Sequence, residues 1–223
     1  RARQREGATL MKLLTRAPKQ TLQDRLIWQS ASLLLAYPDD RCAERLDTVE
    51  RLLNQVTGGA GELLALTAAT LRASDPLRAA ADYVETFDLR RRTTMYLTYW
   101  TAGDTRNRGQ AMLAFVQAYR DAGAVPPADE APDHLAVVLE FAATTDAERG
   151  RRLLAAHRTP LDVVHRALCD TGSPYAPAVA AGHQHHARPQ GQRDLALVGR
   201  ADHLVAQLLQ LHLQVQRDDG LVP

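Results

Sequence analysis

The segment Asp82–Phe141 reads DYVETFDLRRRTTMYLTYWTAGDTRNRGQAMLAFVQAYRDAGAVPPADEAPDHLAVVLEF. The whole chain has three Phe, two Trp and six Tyr, and most of them lie between Tyr83 and Tyr119. Aromatic side chains bury large areas, so we predict that the main hydrophobic core forms here. The same segment contains the run Arg90–Arg92 and the turn Pro132–His134, which place charged groups beside that core.

The composition is typical of a globular protein without a strong net charge. The chain has 223 residues, with 27 Lys and Arg against 26 Asp and Glu, which gives a net charge of +1. That length suits one large domain or two small ones, and 45% hydrophobic residues suit a buried core. Proteins that bind nucleic acid usually show a basic excess or stripe, so the balanced charge argues against a nucleic-acid partner.

Cysteine usage and hydropathy predict a cytoplasmic location. Cys42 and Cys169 are the only cysteines, and two isolated thiols are more typical of a reducing compartment than of a disulfide framework. No apolar run approaches the ~20 residues of a membrane span, so we expect no stable membrane association. The apolar patch that follows the first arginines is too short for the apolar region of a signal peptide.

Apolar residues recur at helical spacing along most of the chain, and Pro and Gly residues separate the periods. We predict an all-α fold, a single compact bundle-like domain of roughly nine helices. The predicted organisation is an N-terminal extension over 1–20, the helical domain over 21–181, a polar His-rich linker over 182–193, and a C-terminal amphipathic helix and tail over 194–223. The segment Thr93–Trp100 is β-branched and aromatic, which also suits a strand. Because no partner strand is evident, we predict a helix there.

Local signals mark where individual helices begin and end. The first three helices are predicted over 21–36, 41–56 and 61–73. The sequence Ser74-Asp75-Pro76 predicts the start of the next helix, since Ser and Asp cap helices and Pro suits their first turn. Asp133 follows a Pro-rich acidic loop, and we predict that it caps the helix that comes next.

Few residues form a pattern typical of catalysis or metal binding. The chain has no phosphate-binding loop, no G-x-G-x-x-G, no H-E-x-x-H and no C-x-x-C. His183, His185 and His186 cluster, but no carboxylate or thiolate lies near them in sequence, so we interpret them as a solvated linker and predict no metal site. Cys169 and His165 are four residues apart, yet no third group is evident to orient them, which argues against nucleophilic catalysis.

Two charged features remain as candidates for binding. The run Arg90–Arg92 either binds an anion or an acidic partner, or forms a solvated turn whose charges pair with Glu85 and Asp88. Asp133 and His134 either cap and pack at a helix start, or present a carboxylate and an imidazole to a basic peptide. The residues alone leave both alternatives open.

Several motifs, found in order, resemble the nitrate reductase delta-subunit chaperones, the NarJ-like members of the TorD-type family. They are Tyr83–Asp88 (Y-x-x-x-F-D), continued by Leu89–Thr93 and Leu97–Tyr99; Gly103–Gly109 (GDTRNRG); Pro132–Leu135 (PDHL) with Val138–Phe141 (VLEF); and Gly172–Ala176 (GSPYA). The resemblance covers residues 23–178, and the chain departs from the family pattern after Gly182.

This resemblance implies an all-helical assembly chaperone that is not an enzyme and carries no cofactor of its own. Family members bind the catalytic (alpha) subunit of respiratory nitrate reductase, chiefly at an N-terminal segment that resembles a twin-arginine signal. They hold this subunit while the molybdenum guanine dinucleotide cofactor is inserted, and they keep it from docking early on the membrane subunit. We expect the same partner here and a monomer or weak homodimer.

The predicted peptide-binding surface combines an apolar groove from the aromatic segment with acid at one end. The element Pro132–Leu135 matches the loop that family members use for peptide recognition, and Asp133 is expected to pair there with a basic residue of the peptide. The predicted site residues are Tyr83, Phe87, Arg91, Tyr96, Trp100, Asp133, His134, Leu135 and Glu140. Two alternatives stay open: a chaperone of the same family for an oxide or sulfoxide reductase, and an enzyme of an unrecognised helical class.

Overall fold

The computed structural model describes residues 19–103 and 106–184. Within them the chain folds into ten α-helices, which confirms the all-α prediction. The helices are α1 (Lys19–Leu35), α2 (Cys42–Leu53), α3 (Gly59–Ala73), α4 (Pro76–Phe87), α5 (Leu97–Ala102), α6 (Arg106–Asp121), α7 (Leu135–Glu140), α8 (Ala147–Ala156), α9 (Arg158–Asp170) and α10 (Ala176–Gln184). Residues 24–184 belong to one compact unit.

Aspartate caps fix the starts of two of these helices. The carboxylate of Asp75 accepts a hydrogen bond of 3.0 Å from the amide of Arg78, and Pro76 occupies the first turn of α4 as predicted. Asp146 caps α8 by accepting from two amides of its first turn, at 3.0 and 2.9 Å. Each cap satisfies amide groups that have no partner within the helix and contributes about 1 kcal/mol.

The core is built from side chains that are distant in the sequence. Trp28 of α1 and Tyr175, which precedes α10, have only 0% and 1% of their surface exposed. The rings of Tyr83 and Phe87 on α4 pack on Tyr175 with centroid distances of 5.7 and 5.0 Å. The aromatic segment therefore supplies only part of the core, because most of the buried residues of the main cluster, Trp28 and Tyr175 among them, come from outside Asp82–Phe141.

The prediction of a helix over Thr93–Trp100 is wrong for its first half. A 3-10 turn covers Arg91–Thr93, the chain is then extended, and α5 begins only at Leu97. Tyr96 forms an isolated antiparallel bridge with His134. The β-branched and aromatic residues thus follow their strand propensity, because the loop before α7 supplies the partner that the local sequence does not reveal.

The end of α7 and the start of α8 approach each other closely. Beyond Glu140 the helix continues as a π-helical turn, Phe141–Thr145, before α8 begins. A Cβ atom placed on Gly150 of α8 would lie 2.3 Å from the Cβ of Ala142 and 2.4 Å from its Cα. Only glycine allows this contact, since a Cβ at that distance would overlap the backbone of the turn.

The predictions for both ends of the chain fall largely outside the described residues. These are the extension over 1–20, the linker over 182–193 and the tail over 194–223, which remain predictions. The prediction of a solvated linker is wrong for His183, because α10 continues to Gln184 and buries this side chain. None of the described helices is long and apolar enough to cross a membrane.

Candidate functional site

The turn that joins α4 to the extended segment is held by its own hydrogen bonds. The hydroxyl of buried Thr93 donates to the carbonyl oxygens of Thr86 and Arg90. The guanidinium of Arg90 forms an ion pair with Glu85, which for this arginine matches the charge-paired alternative that the sequence left open. On the other side, the indole N–H of Trp100 donates to the carbonyl oxygen of Thr94 at 3.2 Å. These bonds fix the backbone between the two helices.

A cavity of 370 Å³ opens beside this turn. Buried Phe87 forms part of its lining, and the remaining lining residues come from the turn and from the segment that follows. These residues are Asp88, Arg90, Arg91, Thr94, Tyr96 and Tyr99. The cavity therefore combines aromatic surface with both signs of charge, a combination that suits an amphipathic peptide.

Asp133 does not cap its own helix, so that prediction is wrong. The residue that precedes α7 is His134, whose side chain makes no capping hydrogen bond. The carboxylate of Asp133 instead reaches across to α5, where its Oδ2 accepts from the amide of Thr98 at 3.1 Å and from the Thr98 hydroxyl. The guanidinium of Arg108 lies 3.9 Å from the same oxygen and donates to the Thr98 hydroxyl at 3.3 Å. We call Asp133, Thr98 and Arg108 the α5 lock.

Burial determines what Asp133 can contact. Its side chain has 0% of its surface exposed. An enclosed carboxylate needs hydrogen-bond partners, and Thr98 provides two of them. In this conformation the carboxylate stabilises the start of α5 and does not reach the solvent-facing surface of the cavity.

His134 is also enclosed, with 7% of its surface exposed. Its ring packs against Tyr96 at a centroid distance of 5.3 Å and an interplanar angle of 65°. Burial lowers the pKa of the imidazole, and the carboxylates of Glu130, Asp133 and Asp88 oppose that shift. The imidazole is therefore neutral at neutral pH and behaves as a packed aromatic group.

Tyr96 connects the enclosed loop to the cavity. Its hydroxyl donates to Glu130 at 3.3 Å, and the guanidinium of Arg108 lies over its ring, 4.9 Å from the centroid. Burial raises the pKa of Tyr96, and Glu130 adds to the shift, so the hydroxyl keeps its proton. The Tyr96 ring therefore lines the cavity, and it is held by Glu130 and Arg108, which do not line the cavity.

The structure separates the nine predicted site residues into two groups. Phe87, Arg91 and Tyr96 line the cavity. The other predicted residues do not line the cavity, and they are Tyr83, Trp100, Asp133, His134, Leu135 and Glu140.

Tyr83 and Leu135 are core residues. Tyr83 is 6% exposed, donates its hydroxyl hydrogen to the carbonyl oxygen of Leu35 at 3.0 Å, and has a pKa that burial raises. Leu135 is 2% exposed, and its amide donates to the carbonyl oxygen of Met95 at 2.9 Å. Glu140 is half-buried at the end of α7 and does not line the cavity.

Reasoning from the sequence missed Thr94, which lines the cavity, and four further residues that shape the site. Asp88 and Tyr99 line the cavity, while Thr98 and Arg108 belong to the α5 lock. All four lie inside the motifs Tyr83–Asp88, Leu97–Tyr99 and Gly103–Gly109 that carry the family resemblance. Their presence in those motifs was the available signal, but only the folded chain shows which of them meet.

The remaining candidate residues lie outside the cavity lining. His183 is buried, and its Nε2 lies 2.6 Å from a carboxylate oxygen of Asp162. This contact joins α10 to α9 and lowers the pKa of Asp162. The sulfur of Cys169 lies 3.4 Å from the Nε2 of His165, whose pKa is lowered by burial. Among the described residues no group of three His, Cys, Asp or Glu side chains could hold a metal ion.

Comparison with known proteins assigns this all-α fold to a family. The family model described as the nitrate reductase delta subunit matches residues 50–181, which include the cavity and most of the helices. The chain belongs to the nitrate reductase delta subunit family. The resemblance predicted from the sequence motifs is thereby confirmed.

Three relatives extend this finding. The chain is 56% identical over 156 residues to the nitrate reductase-like protein NarX of Mycobacterium tuberculosis (strain H37Rv), covering 70% of this chain and 24% of that protein. It is 32% identical over 132 residues to the probable nitrate reductase molybdenum cofactor assembly chaperone NarJ of Bacillus subtilis, covering 59% of this chain and 72% of that protein. It is 41% identical over 73 residues to the NarJ chaperone of Escherichia coli K12, covering 33% and 31%. The chain therefore spans about a quarter of the mycobacterial relative.

Proposed function

We propose that this protein is an assembly chaperone for a nitrate reductase and binds the N-terminal segment of its catalytic subunit. The Bacillus subtilis and Escherichia coli relatives are named as molybdenum cofactor assembly chaperones, which supports this role. The protein acts in the cytoplasm as a monomer or weak homodimer and is not an enzyme. The molybdenum cofactor is cargo for the client, and the chaperone has no cofactor of its own.

The cavity beside the turn between α4 and α5 is the observation that carries this proposal. It offers buried Phe87 and the rings of Tyr96 and Tyr99 as apolar surface, with charged groups at its rim. Hydrogen bonds hold the backbone of the turn beside the cavity, so binding need not order that backbone. A segment with a few apolar anchors would bind with micromolar affinity, about −8 kcal/mol, weak enough for release after assembly.

The predicted element Pro132–Leu135 keeps a place in this proposal, but an indirect one. Asp133 fixes the start of α5, and His134 packs behind Tyr96. We propose that both residues shape the cavity wall and that the peptide contacts Tyr96 from the other side. Trp100 acts in the same way, because it holds the backbone of the turn.

Isothermal titration calorimetry tests the proposal. The titrant is a synthetic peptide of the N-terminal segment of the nitrate reductase catalytic subunit from the same organism, and a scrambled peptide is the control. Tyr99→Ala removes a half-buried ring from the cavity, whereas Tyr37→Ala removes an exposed ring that lies outside it.

We expect micromolar binding of the authentic peptide and a severalfold loss for Tyr99→Ala alone. No heat with the authentic peptide, or equal losses in the two variants, would contradict the proposal. A sulfoxide reductase peptide is titrated in parallel. Tighter binding of that peptide would identify the other class of client.

A further inference from the structure

We propose that the cavity selects a client segment that carries a large apolar side chain together with one basic and one acidic residue. Asp88 takes the basic group, Arg91 takes the carboxylate, and the aromatic lining takes the apolar side chain. This inference rests on the proposed peptide-binding function and names the chemistry of the peptide. It follows from the separate environments of the charged residues around the turn.

Asp88 has the properties of a receptor for a cation. It caps the C-terminal end of α4, where its amide donates to the carbonyl oxygen of Val84. Its carboxylate is exposed at the cavity and makes no ion pair with any residue that the structure describes. The C-terminal end of a helix carries partial negative charge, so a cation beside the Asp88 carboxylate is favourable. A basic side chain of a bound peptide would meet the charge of both the carboxylate and the helix end.

The three consecutive arginines have three different environments. Arg90 is already paired with Glu85. Arg91 lines the cavity, is exposed, and forms no ion pair within the described part of the chain. Arg92 is equally exposed but does not line the cavity. Arg91 is thus the arginine placed to take a ligand, and its planar guanidinium matches a carboxylate in two-point geometry.

The fixed turn keeps these two charges available. Asp88 and Arg91 are three residues apart, yet no ion pair joins them among the contacts of the described residues. The Thr93 hydroxyl bonds to backbone on both sides of this stretch, and Arg90 is paired with Glu85, so neither Asp88 nor Arg91 is used to hold the turn. A peptide therefore meets a cation receptor, an anion receptor and aromatic side chains in the lining of one cavity.

Calorimetry with the full chain tests this charge pattern. Four forms of the client N-terminal peptide are compared: the authentic peptide, one with its basic residues replaced by Gln, one with its acidic residues replaced by their amides, and one with both changes. Each is titrated into the unchanged protein, Asp88→Asn, Arg91→Gln and the matched control Arg92→Gln. Circular dichroism and melting curves verify that every variant is folded.

Each exposed charge pair is expected to contribute roughly two- to fivefold in affinity, the usual range for such pairs. Asp88→Asn should weaken the authentic peptide by that factor and should not further weaken the peptide without basic residues. Arg91→Gln should weaken the authentic peptide by the same factor and should not further weaken the peptide without acidic residues. Arg92→Gln should bind all four peptides like the unchanged protein.

Two further outcomes are decisive. If the authentic peptide binds but both cavity variants bind all four peptides like the unchanged protein, the charge pattern is overturned and the chaperone proposal stands. The charge pattern is also overturned if Arg92→Gln loses as much affinity as Arg91→Gln. If the authentic peptide does not bind the unchanged protein, the proposed function fails and this inference fails with it.

Discussion

Replacing Asp133 with Asn should reduce stability and leave peptide affinity unchanged. The carboxylate is fully enclosed and accepts two hydrogen bonds from Thr98, and Arg108 lies 3.9 Å from the same oxygen. In Asn, the side-chain carbonyl oxygen can still accept hydrogen bonds from Thr98. Its NH2 group then occupies the position of Oδ1, which has no hydrogen-bond partner among the described residues.

The expected loss follows from these contacts. Hydrogen bonds to a charged group contribute about 1.5–3 kcal/mol, against about 0.5–1.5 kcal/mol for neutral pairs. The weakened bonds and the unpaired NH2 group should together lower the free energy of unfolding by roughly 1.5–3 kcal/mol, since the lost charge also removes a desolvation cost. For a chain of this length that corresponds to a decrease of roughly 3–12 °C in melting temperature.

The assay measures urea unfolding and peptide affinity on the same sample. Asp129→Asn removes an exposed carboxylate from the same loop and should change neither quantity. An Asp133→Asn variant that keeps full stability but binds the peptide several times more weakly would refute the reasoning. In that case the peptide reaches the carboxylate directly, as the sequence motif alone predicts, and the loop must open when the peptide binds.

Three further predictions concern helix packing and pH. Gly150→Ala should destabilise the fold in urea unfolding by at least the about 1–3 kcal/mol that is typical of an overpacked core, because its Cβ would overlap the backbone of Ala142. Gly109 lies in α6, and a Cβ atom added there would meet no atom within 4 Å. Gly109→Ala should therefore stabilise the protein by about 0.5–1 kcal/mol in the same assay, because glycine is unfavourable inside a helix. Because burial lowers the pKa of His134, the unfolded state takes up the proton first, and stability should decline as the pH falls below about 6.5. Melting curves of His134→Gln between about pH 7.5 and pH 5.5 should show a smaller decline.

The sequence predicts the helices because their causes are local. Apolar spacing predicts 41–56 and 61–73, and the structure has helices over Cys42–Leu53 and Gly59–Ala73. Asp75 caps α4 as expected, since the cap and the amide that it binds are three residues apart. Such signals are contained within a few neighbouring residues, so no knowledge of the tertiary structure is needed.

The site is less predictable because its contacts join distant residues. The sequence assigned Asp133 to its own helix, whereas the carboxylate caps α5, 35 residues earlier in the chain. The same is true of the extended segment around Tyr96, whose partner is His134. Patterns of three or four residues identify a residue that is able to cap or pair. They do not reveal which distant backbone group it will meet.

The pairing between the extended segment and the loop before α7 also makes it possible to measure how often the two separate. The amide of Leu97 donates to the carbonyl oxygen of Asp133 at 3.0 Å, and the amide of Leu135 donates to that of Met95 at 2.9 Å. Both hydrogens can exchange with deuterium when the loop leaves the segment, because one separation breaks both bonds. If they exchange at a common rate, that rate gives the frequency with which Tyr96 in the cavity wall loses its support from the loop, on a timescale that equilibrium binding does not measure.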